Sequence, residues 1–147
     1  MNNRIRAVLG FYFDISFEKV LLIKKNKPKW QRGKLNGIGG KIEQEESPIS
    51  AMVREFKEEA GIVEYCWNEC FKIIDIINGV WEVDVFYSVG NLSLARQITN
   101  EKLIVCSINN LPENVIWNIR WMIPFILDKT VDKNLNNNIE NIFDDRK

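Results

Sequence analysis

Three carboxylates on one side of a predicted helix are the residues of this sequence best suited to chemistry. At about 100° per residue, Glu55, Glu58 and Glu59 fall within one arc of about 100°, while Arg54 and Lys57 point away from it. A merely solvated acidic face would have cations among the acids, so this cluster is costly unless a cation binds to it. Oxygen ligands without His or Cys favour Mg²⁺ or Mn²⁺, which would polarise a phosphoryl oxygen and help to generate hydroxide.

A glycine-rich segment precedes this helix. Gly37, Gly39 and Gly40 permit close approach of a phosphate to the backbone, and Lys41 adds a cation. Alone, such a cluster is more often a plain turn. Because glycine has little propensity for regular structure, residues 37–43 are predicted to form a short strand or turn.

The spacing between these two features is specific. Five residues separate Gly40 from Glu46, seven separate Glu46 from Arg54, and the pattern continues to Ile62. The segment matches G-x5-E-x7-R-E-U-x-E-E-x-G-U, where U is a bulky apolar residue, at every fixed position. It therefore resembles the Nudix box.

The resemblance implies an α/β protein with the Nudix fold, a mixed β-sheet sandwiched between α-helices. We expect the Nudix hydrolase domain to span residues 1–128, followed by a tail, 129–147, that could dock as a short helix. The implied reaction is metal-dependent hydrolysis of a nucleoside diphosphate linked to another moiety.

The resemblance also assigns roles within the box. It implies that Glu55, Glu58 and Glu59 bind the metal and that Gly39 contributes its carbonyl. The general base must lie one hydrogen bond from the attacking water, and we expect Glu58 or a neighbour to serve. Arg54 would orient the carboxylates through charge-assisted hydrogen bonds. Glu46 completes the predicted catalytic set, as a support rather than a direct ligand.

Outside the box, the sequence resembles the nucleotide-pool sanitising branch of the family, which converts oxidised purine nucleoside triphosphates to monophosphates. That branch places a strand lysine and an asparagine in the base pocket, which correspond to Lys24 and Asn36. Trp117 could stack on the base and Asn118 could hydrogen-bond its edge, although Trp117 and Trp121 could equally form a core stripe. The predicted substrate-binding set is Lys24, Asn36, Ile38, Gly39, Gly40, Lys41, Trp117 and Asn118.

A further metal ligand is expected outside the box. The same branch uses an acid at the start of a late strand, a place that Glu101 occupies. Glu101 could instead be a solvated strand end, and both interpretations stay open. Glu82 and Asp84, two residues apart and so on one face of a strand, are a rival source of a carboxylate.

Other substrates remain open alternatives. A Nudix hydrolase acting on a nucleotide-sugar, ADP-ribose or a dinucleoside polyphosphate would keep the same box. A further alternative, from a different class, is a non-catalytic nucleotide-sensing domain, which is disfavoured because the box glutamates are all present. The paired acids that the human-like sanitising enzymes carry before the last helix are absent, so no base preference can be transferred.

The elements that must position these residues follow from periodicity and capping. Ser47 and Pro48 start the box helix and Gly61 ends it. A second helix is predicted over residues 117–127. Strands are predicted over residues 4–14, 19–25, 71–77, 80–89 and 103–108. An exposed loop should span residues 26–36, and a hairpin turn Asn78-Gly79.

Composition limits the possible partners. Lys and Arg total 20, as do Asp and Glu, so no basic field is available for a nucleic acid polymer. No stretch approaches the ~18 apolar residues of a membrane span. The chain has no His and three Cys, which excludes His-based triads and leaves zinc sites and disulfide frameworks improbable. We expect a cytoplasmic monomer or homodimer that binds a small nucleotide.

Overall fold

The computed structural model describes residues 4–75 and 81–131, which form one mixed sheet and two α-helices. The strands are β1 (Ile5–Phe13), β2 (Lys19–Lys24), β3 (Leu35–Asn36), β4 (Ile38–Lys41), β5 (Asn68–Ile74), β6 (Trp81–Val89) and β7 (Leu103–Ser107). The helices are α1 (Pro48–Ala60) and α2 (Ile119–Val131).

Strand β1 is the centre of the sheet. Along one side it pairs in parallel with β6, from Ile5 opposite Trp81 to Phe13 opposite Val89. Along the other side it pairs antiparallel with β4 and then with β2. Strand β2 also pairs with β3 and β7, and β5 pairs with β6. The glycine-rich strand therefore lies next to the central strand.

Each face of the sheet is covered by one helix. On one face α1 buries Met52 and Phe56, with the Phe56 ring 4.8 Å from Tyr12 and 5.0 Å from Trp67. On the other face α2 buries an apolar stripe against β1, β2 and β6. Burial of this apolar surface is the main stabilising contribution. The arrangement confirms the predicted mixed sheet between helices.

Local signals set the ends of α1 as predicted. The Ser47 hydroxyl accepts a hydrogen bond from Ser50 N at 3.2 Å, and Pro48 occupies the first turn. Gly61 ends the helix in the left-handed conformation, with φ of 71°, and its N–H donates to Lys57 O.

The segment 38–41 is a strand because Gly39 lets it approach β1 closely. A Cβ atom on Gly39 would overlap the Val8 carbonyl oxygen. Of the two predicted alternatives for this segment, strand and turn, the strand is therefore correct, because only a residue without a side chain fits next to β1.

Other element boundaries differ modestly from the predictions. Strand β5 is Asn68–Ile74 rather than 71–77, and the predicted loop 26–36 contains a short 3-10 helix, Lys29–Gln31, and strand β3. The predicted Asn78-Gly79 turn and nearly all of the tail lie outside the described residues. Helix α2 starts two residues later than predicted and continues to Val131. No helix within the described ranges is long and apolar enough to cross a membrane.

Candidate active site

The site begins where α1 crosses β4. The space that a Cβ on Gly40 would occupy is filled by the Glu55 carboxylate, so the box glycine and the glutamate that follows the box arginine are in direct contact. Glu55 is mostly buried there, whereas Glu58, one turn later, has 56% of its side chain exposed. The fold thus brings the glycine segment and the predicted ligands together.

Arg54 is the internal cation of this cluster. Its Nη1 lies 2.9 Å from Glu55 Oε1 and 3.3 Å from Glu58 Oε2, and its Nη2 donates to Lys41 O at 3.0 Å. The expectation that Arg54 points away from the acidic arc is therefore wrong. A helical-wheel projection gives only the direction of the Cβ atom, whereas the long Arg54 side chain extends back over the helix surface to the acids.

Glu46 anchors this guanidinium. Its carboxylate accepts from Arg54 Nε at 2.7 Å and from Nη2 at 2.9 Å, a two-point pair of the kind that arginine forms best. The Arg54 hydrogen bonds lower the pKa of Glu46, and the same contacts raise the pKa of Arg54. Glu46 contacts Arg54, and Arg54 contacts Glu55 and Glu58, so Glu46 acts on those two carboxylates only through Arg54.

Glu59 has the most perturbed environment of the box. Its Oε2 is buried with no hydrogen-bond partner in the described part of the chain. Burial raises the pKa of Glu59 to about 8; the nearby Lys25 charge opposes this shift, whereas the Glu55 and Glu101 carboxylates reinforce it. Burial also raises the pKa of Glu55. Two acids are thus held together in a desolvated place where negative charge is unfavourable.

Glu101 lies close to this pair. It is only 8% exposed, so the solvated strand end is excluded. Its carboxylate accepts from Lys25 Nζ at 3.3 Å and from the Asn26 backbone N–H. The pairing of β2 with β7 brings these residues together across the sheet.

The donor set fits a hard divalent cation, although it is not closed into a complete site. Within residues 4–75 and 81–131, no three acidic or Cys side chains are already gathered as ligands. The orphaned Glu59 Oε2, beside Glu55 and Glu101, is the oxygen that lacks a positive partner. Cations of the protein, Arg54 and Lys25, hold the other carboxylates.

The predicted base-pocket residues come together around β3. Lys24 pairs with Leu35, and Asn36 pairs with the residue before Lys24. The Ile116 N–H donates to Leu35 O at 2.9 Å, which brings the start of α2 alongside. The backbones of Lys24, Asn36 and the segment before α2 are therefore neighbours, whereas the register places the Lys24 and Asn36 side chains on opposite faces of the sheet.

Trp117 and Asn118, directly before α2, differ in their exposure. Trp117 is 56% exposed, so the core-stripe interpretation is wrong for it. It is right for Trp121, whose ring packs 5.9 Å from Phe71. The Asn118 Oδ1 is buried and has no hydrogen-bond partner among the described residues, whereas Asn36 is held by Gly37 N and Gln31.

Two further predictions need correction or relocation. Ile38 is fully buried in the core under α1, so its side chain does not face a substrate. The rival acids, Glu82 and Asp84, share one face as expected but belong to a separate ion-pair cluster with Arg6 and Lys72. Lys41 is exposed beside Gly40, within the glycine-rich strand.

Sequence reasoning missed two residues. Lys25 contacts Glu101, and the Gln31 Oε1 accepts from Asn36 Nδ2 at 3.2 Å. The paired lysines at the end of β2 were a signal for Lys25, since one side chain of such a pair faces each side of a strand. Nothing in the sequence signals Gln31, because its partner is set by the loop conformation.

Comparison with known proteins agrees with this architecture. A family model described as NUDIX domain matches residues 3–102. No match is found among curated protein sequences.

Solved structures share the fold at low sequence identity. A MutT NUDIX hydrolase from Burkholderia pseudomallei is 22% identical with a TM-score of 0.70, covering 84% of this chain and 98% of its own. A NUDIX-family hydrolase from Clostridium perfringens is 25% identical with a TM-score of 0.68, covering 87% and 99%. The NUDIX domain of Shewanella oneidensis NrtR, solved with ADP ribose, is 14% identical with a TM-score of 0.73, covering 88% and 90%.

A mixed sheet between two helices, with a carboxylate-bearing helix over a glycine-rich strand, defines the class of fold. With the complete box and a family match over most of its length, the chain belongs to the Nudix family and is a Nudix pyrophosphohydrolase.

Proposed function

We propose that this protein hydrolyses a nucleoside triphosphate, such as an oxidised purine deoxynucleotide (8-oxo-dGTP), to the monophosphate and pyrophosphate, with Mg²⁺ or Mn²⁺ as cofactor. The observation that carries the proposal is the buried, unpartnered Glu59 Oε2 next to Glu55 and Glu101. A hard cation would supply the missing positive charge.

The proposed roles of the residues follow from their positions. Glu55, Glu58, Glu59 and Glu101, together with the Gly39 carbonyl, would hold the ion, which when bound polarises the phosphoryl oxygens and acidifies water. Glu58, the most exposed box acid, is the proposed general base for the attacking water. Arg54 and Glu46 fix the carboxylate geometry, and Lys41 offers a cation to the departing pyrophosphate.

The proposed binding pocket lies around β3. Asn118 has an unsatisfied acceptor that can take a hydrogen bond from a base, and the exposed Trp117 indole can stack on the ring. Lys24 is exposed at the end of β2, and Asn36 is held in place by Gln31. We further propose a cytoplasmic monomer or homodimer whose only ligands are small nucleotides and the metal.

A product analysis tests this function. Canonical and oxidised triphosphates are incubated with Mg²⁺ and the nucleotides, pyrophosphate and phosphate are separated. Monophosphate plus pyrophosphate is expected as the first product pair, whereas diphosphate plus phosphate would contradict the proposal. Glu58→Gln should lower turnover by at least ~100-fold with the fold retained, and Glu18→Gln, an exposed acid in the β1–β2 turn, is the matched control.

A second candidate is hydrolysis of another nucleoside diphosphate derivative. It is favoured by one observation, the likeness in fold to a NUDIX domain that binds ADP ribose. The same assay, extended to ADP-ribose, nucleotide-sugars and dinucleoside polyphosphates, separates the two. A higher kcat/KM for any of these than for every triphosphate would transfer the assignment to that substrate.

A further inference from the structure

Lys25 occupies an unusual position for a lysine. Its side chain is largely buried, its Nζ lies 3.3 Å from Glu101 Oε1, and its charge also acts on Glu59. These two acids come from different parts of the chain: Glu101 lies just before β7, and Glu59 lies on helix α1. Lysine is rarely buried unless it is paired, so this placement requires the acids around it.

The backbone around Lys25 is fixed. Its N–H donates to Lys34 O at 2.8 Å, and its carbonyl accepts from Gly33 N at 2.8 Å. The ammonium is therefore the movable part, at the end of a flexible four-carbon stem. Glu101 has a second donor, the Asn26 N–H, and so remains anchored if Lys25 withdraws.

We propose that Lys25 is an exchangeable counter-cation of the carboxylate cluster, which pairs with Glu101 in the metal-free protein and gives up this place to the divalent cation. The inference rests on the proposed function, because it presumes that these acids bind the metal. A lysine ammonium and a dication that both contact the Glu101 carboxylate would repel each other strongly. The residue therefore lowers metal affinity while it stabilises the metal-free fold.

The two effects have opposite signs, and this distinguishes exchange from a purely structural role. Lys25→Met removes the charge and keeps most of the apolar stem. We expect it to bind Mn²⁺ at least ~5-fold more tightly in calorimetric titration with the metal alone, because a repelling unit charge is removed. Its metal-free Tm should fall by roughly 2–6 °C, since Glu101 loses a partner.

Two variants serve as controls. Lys25→Arg retains the charge and should stay within about twofold of the wild-type metal affinity. Lys102→Met removes an exposed lysine adjacent to Glu101 and should change neither measurement. Unchanged or weaker Mn²⁺ binding by Lys25→Met would overturn the proposal.

A second measurement uses the unaltered protein, so it decides the question even if Lys25→Met fails to fold. Amine acetylation is followed residue by residue by mass spectrometry, with and without saturating Mg²⁺. The Lys25 labelling rate should rise by at least ~3-fold on metal binding, because the ammonium leaves a buried ion pair, and that of Lys102 should not. A Lys25 rate that is constant or falls would contradict the exchange.

The outcomes also separate this proposal from the function on which it rests. Metal-dependent hydrolysis with no response of Lys25 would overturn the exchange and leave the function intact. Metal binding with the expected response but no hydrolysis would overturn the function alone. Absence of divalent-cation binding in the wild-type chain would overturn both.

Discussion

Arg54 and Glu46 form a two-point ion pair, with Nε–Oε2 and Nη2–Oε1 distances of 2.7 and 2.9 Å. The remaining guanidinium nitrogen, Nη1, contacts Glu55 and Glu58. Within the box, Glu46 therefore fixes the Arg54 guanidinium, and Arg54 in turn holds the Glu55 and Glu58 carboxylates. The planar fork, rather than the charge alone, makes this possible.

The first prediction follows from that geometry. Arg54→Lys keeps the charge but cannot contact all three acids, so we expect kcat or metal affinity to fall roughly 10- to 100-fold with the fold retained. Steady-state kinetics, calorimetry and circular dichroism measure these quantities. Lys57→Arg, on the exposed side of the same helix, is the control. Wild-type activity in Arg54→Lys would show that the fork is dispensable.

The second prediction contrasts two adjacent glycines. A methyl group on Gly39 meets the backbone of Val8, which cannot move, so Gly39→Ala should lower the free energy of unfolding by about 3 kcal/mol. A methyl group on Gly40 meets the movable Glu55 carboxylate. Gly40→Ala should therefore fold but bind metal about tenfold or more weakly.

Urea unfolding and Mn²⁺ titration of both variants test this contrast. The control is Gly33→Ala, because Gly33 lies in the β2–β3 loop with open space around its Cα. Its positive φ of 80° predicts a modest loss of stability and no change in metal affinity. Equal metal affinity in Gly40→Ala and the wild type would refute the proposed role of the contact.

The third prediction concerns base selection. Asn118→Ala removes the unsatisfied Oδ1, and a polar contact of ~1–3 kcal/mol is lost only for a base that uses it. The kcat/KM ratio between purine and pyrimidine triphosphates should narrow by roughly ten- to a hundredfold. Proportional changes for every substrate would instead assign Asn118 to helix packing.

The fourth prediction is that replacement of Trp117 affects substrate affinity rather than base selection in the same assay. Stacking on an exposed indole contributes ~1–3 kcal/mol whichever base is stacked. Trp117→Ala should therefore raise KM for all bases and leave their ratio unchanged. Trp30→Ala is the comparison, since Trp30 is also exposed but lies in the β2–β3 loop. Loss of selectivity in Trp117→Ala would contradict this division of roles.

The fifth prediction is a dependence of stability on pH. Desolvation acts to raise the pKa of Asp14, but hydrogen bonds from Lys19 N, Ser16 Oγ and Glu18 N outweigh it, so the pKa is lowered overall. Because the folded pKa lies below the unfolded one, the stabilisation is present above the unfolded pKa. It is lost as pH falls through the folded value.

Asp14→Ala should therefore lose about 1 kcal/mol of unfolding free energy at neutral pH and converge with the wild type in strong acid. Urea unfolding between neutral and acidic pH measures both. Asp128→Asn, an exposed residue of α2, is the control. A difference between Asp14→Ala and the wild type that persists unchanged in acid would contradict the assignment.

The helix α1 could be predicted because its signals are local. Ser47, Pro48 and Gly61 act within a turn of their own positions, and the box residues between them are spaced by the helix itself. Arg54 marks the limit of such reasoning. Its Cβ direction follows from the helix, but the course of a long side chain depends on Glu46, whose position is set by the preceding loop.

Glu101 could not be resolved from the sequence for a different reason. Its partner Lys25 is 76 residues away, and the two meet only because β2 pairs with β7 in one register. A shift of one residue would turn Glu101 to the other face. Burial of Ile38 likewise depends on α1 covering β4, which no local pattern encodes.

The parallel pairing of β1 with β6 joins two strands that lie far apart in the chain. Ile5 pairs with Trp81, 76 residues later in the chain. Helix α1 packs on an apolar cluster that includes Trp67 and Phe86, which both follow the helix in the sequence. Closing a loop of this length costs entropy before any long-range contact compensates for it, which makes such topologies slow to fold. A chain that ends before β6 would leave the box glutamates on a helix whose apolar face is only partly covered, because Phe86 would be missing while Val8 and Ile38 are already present.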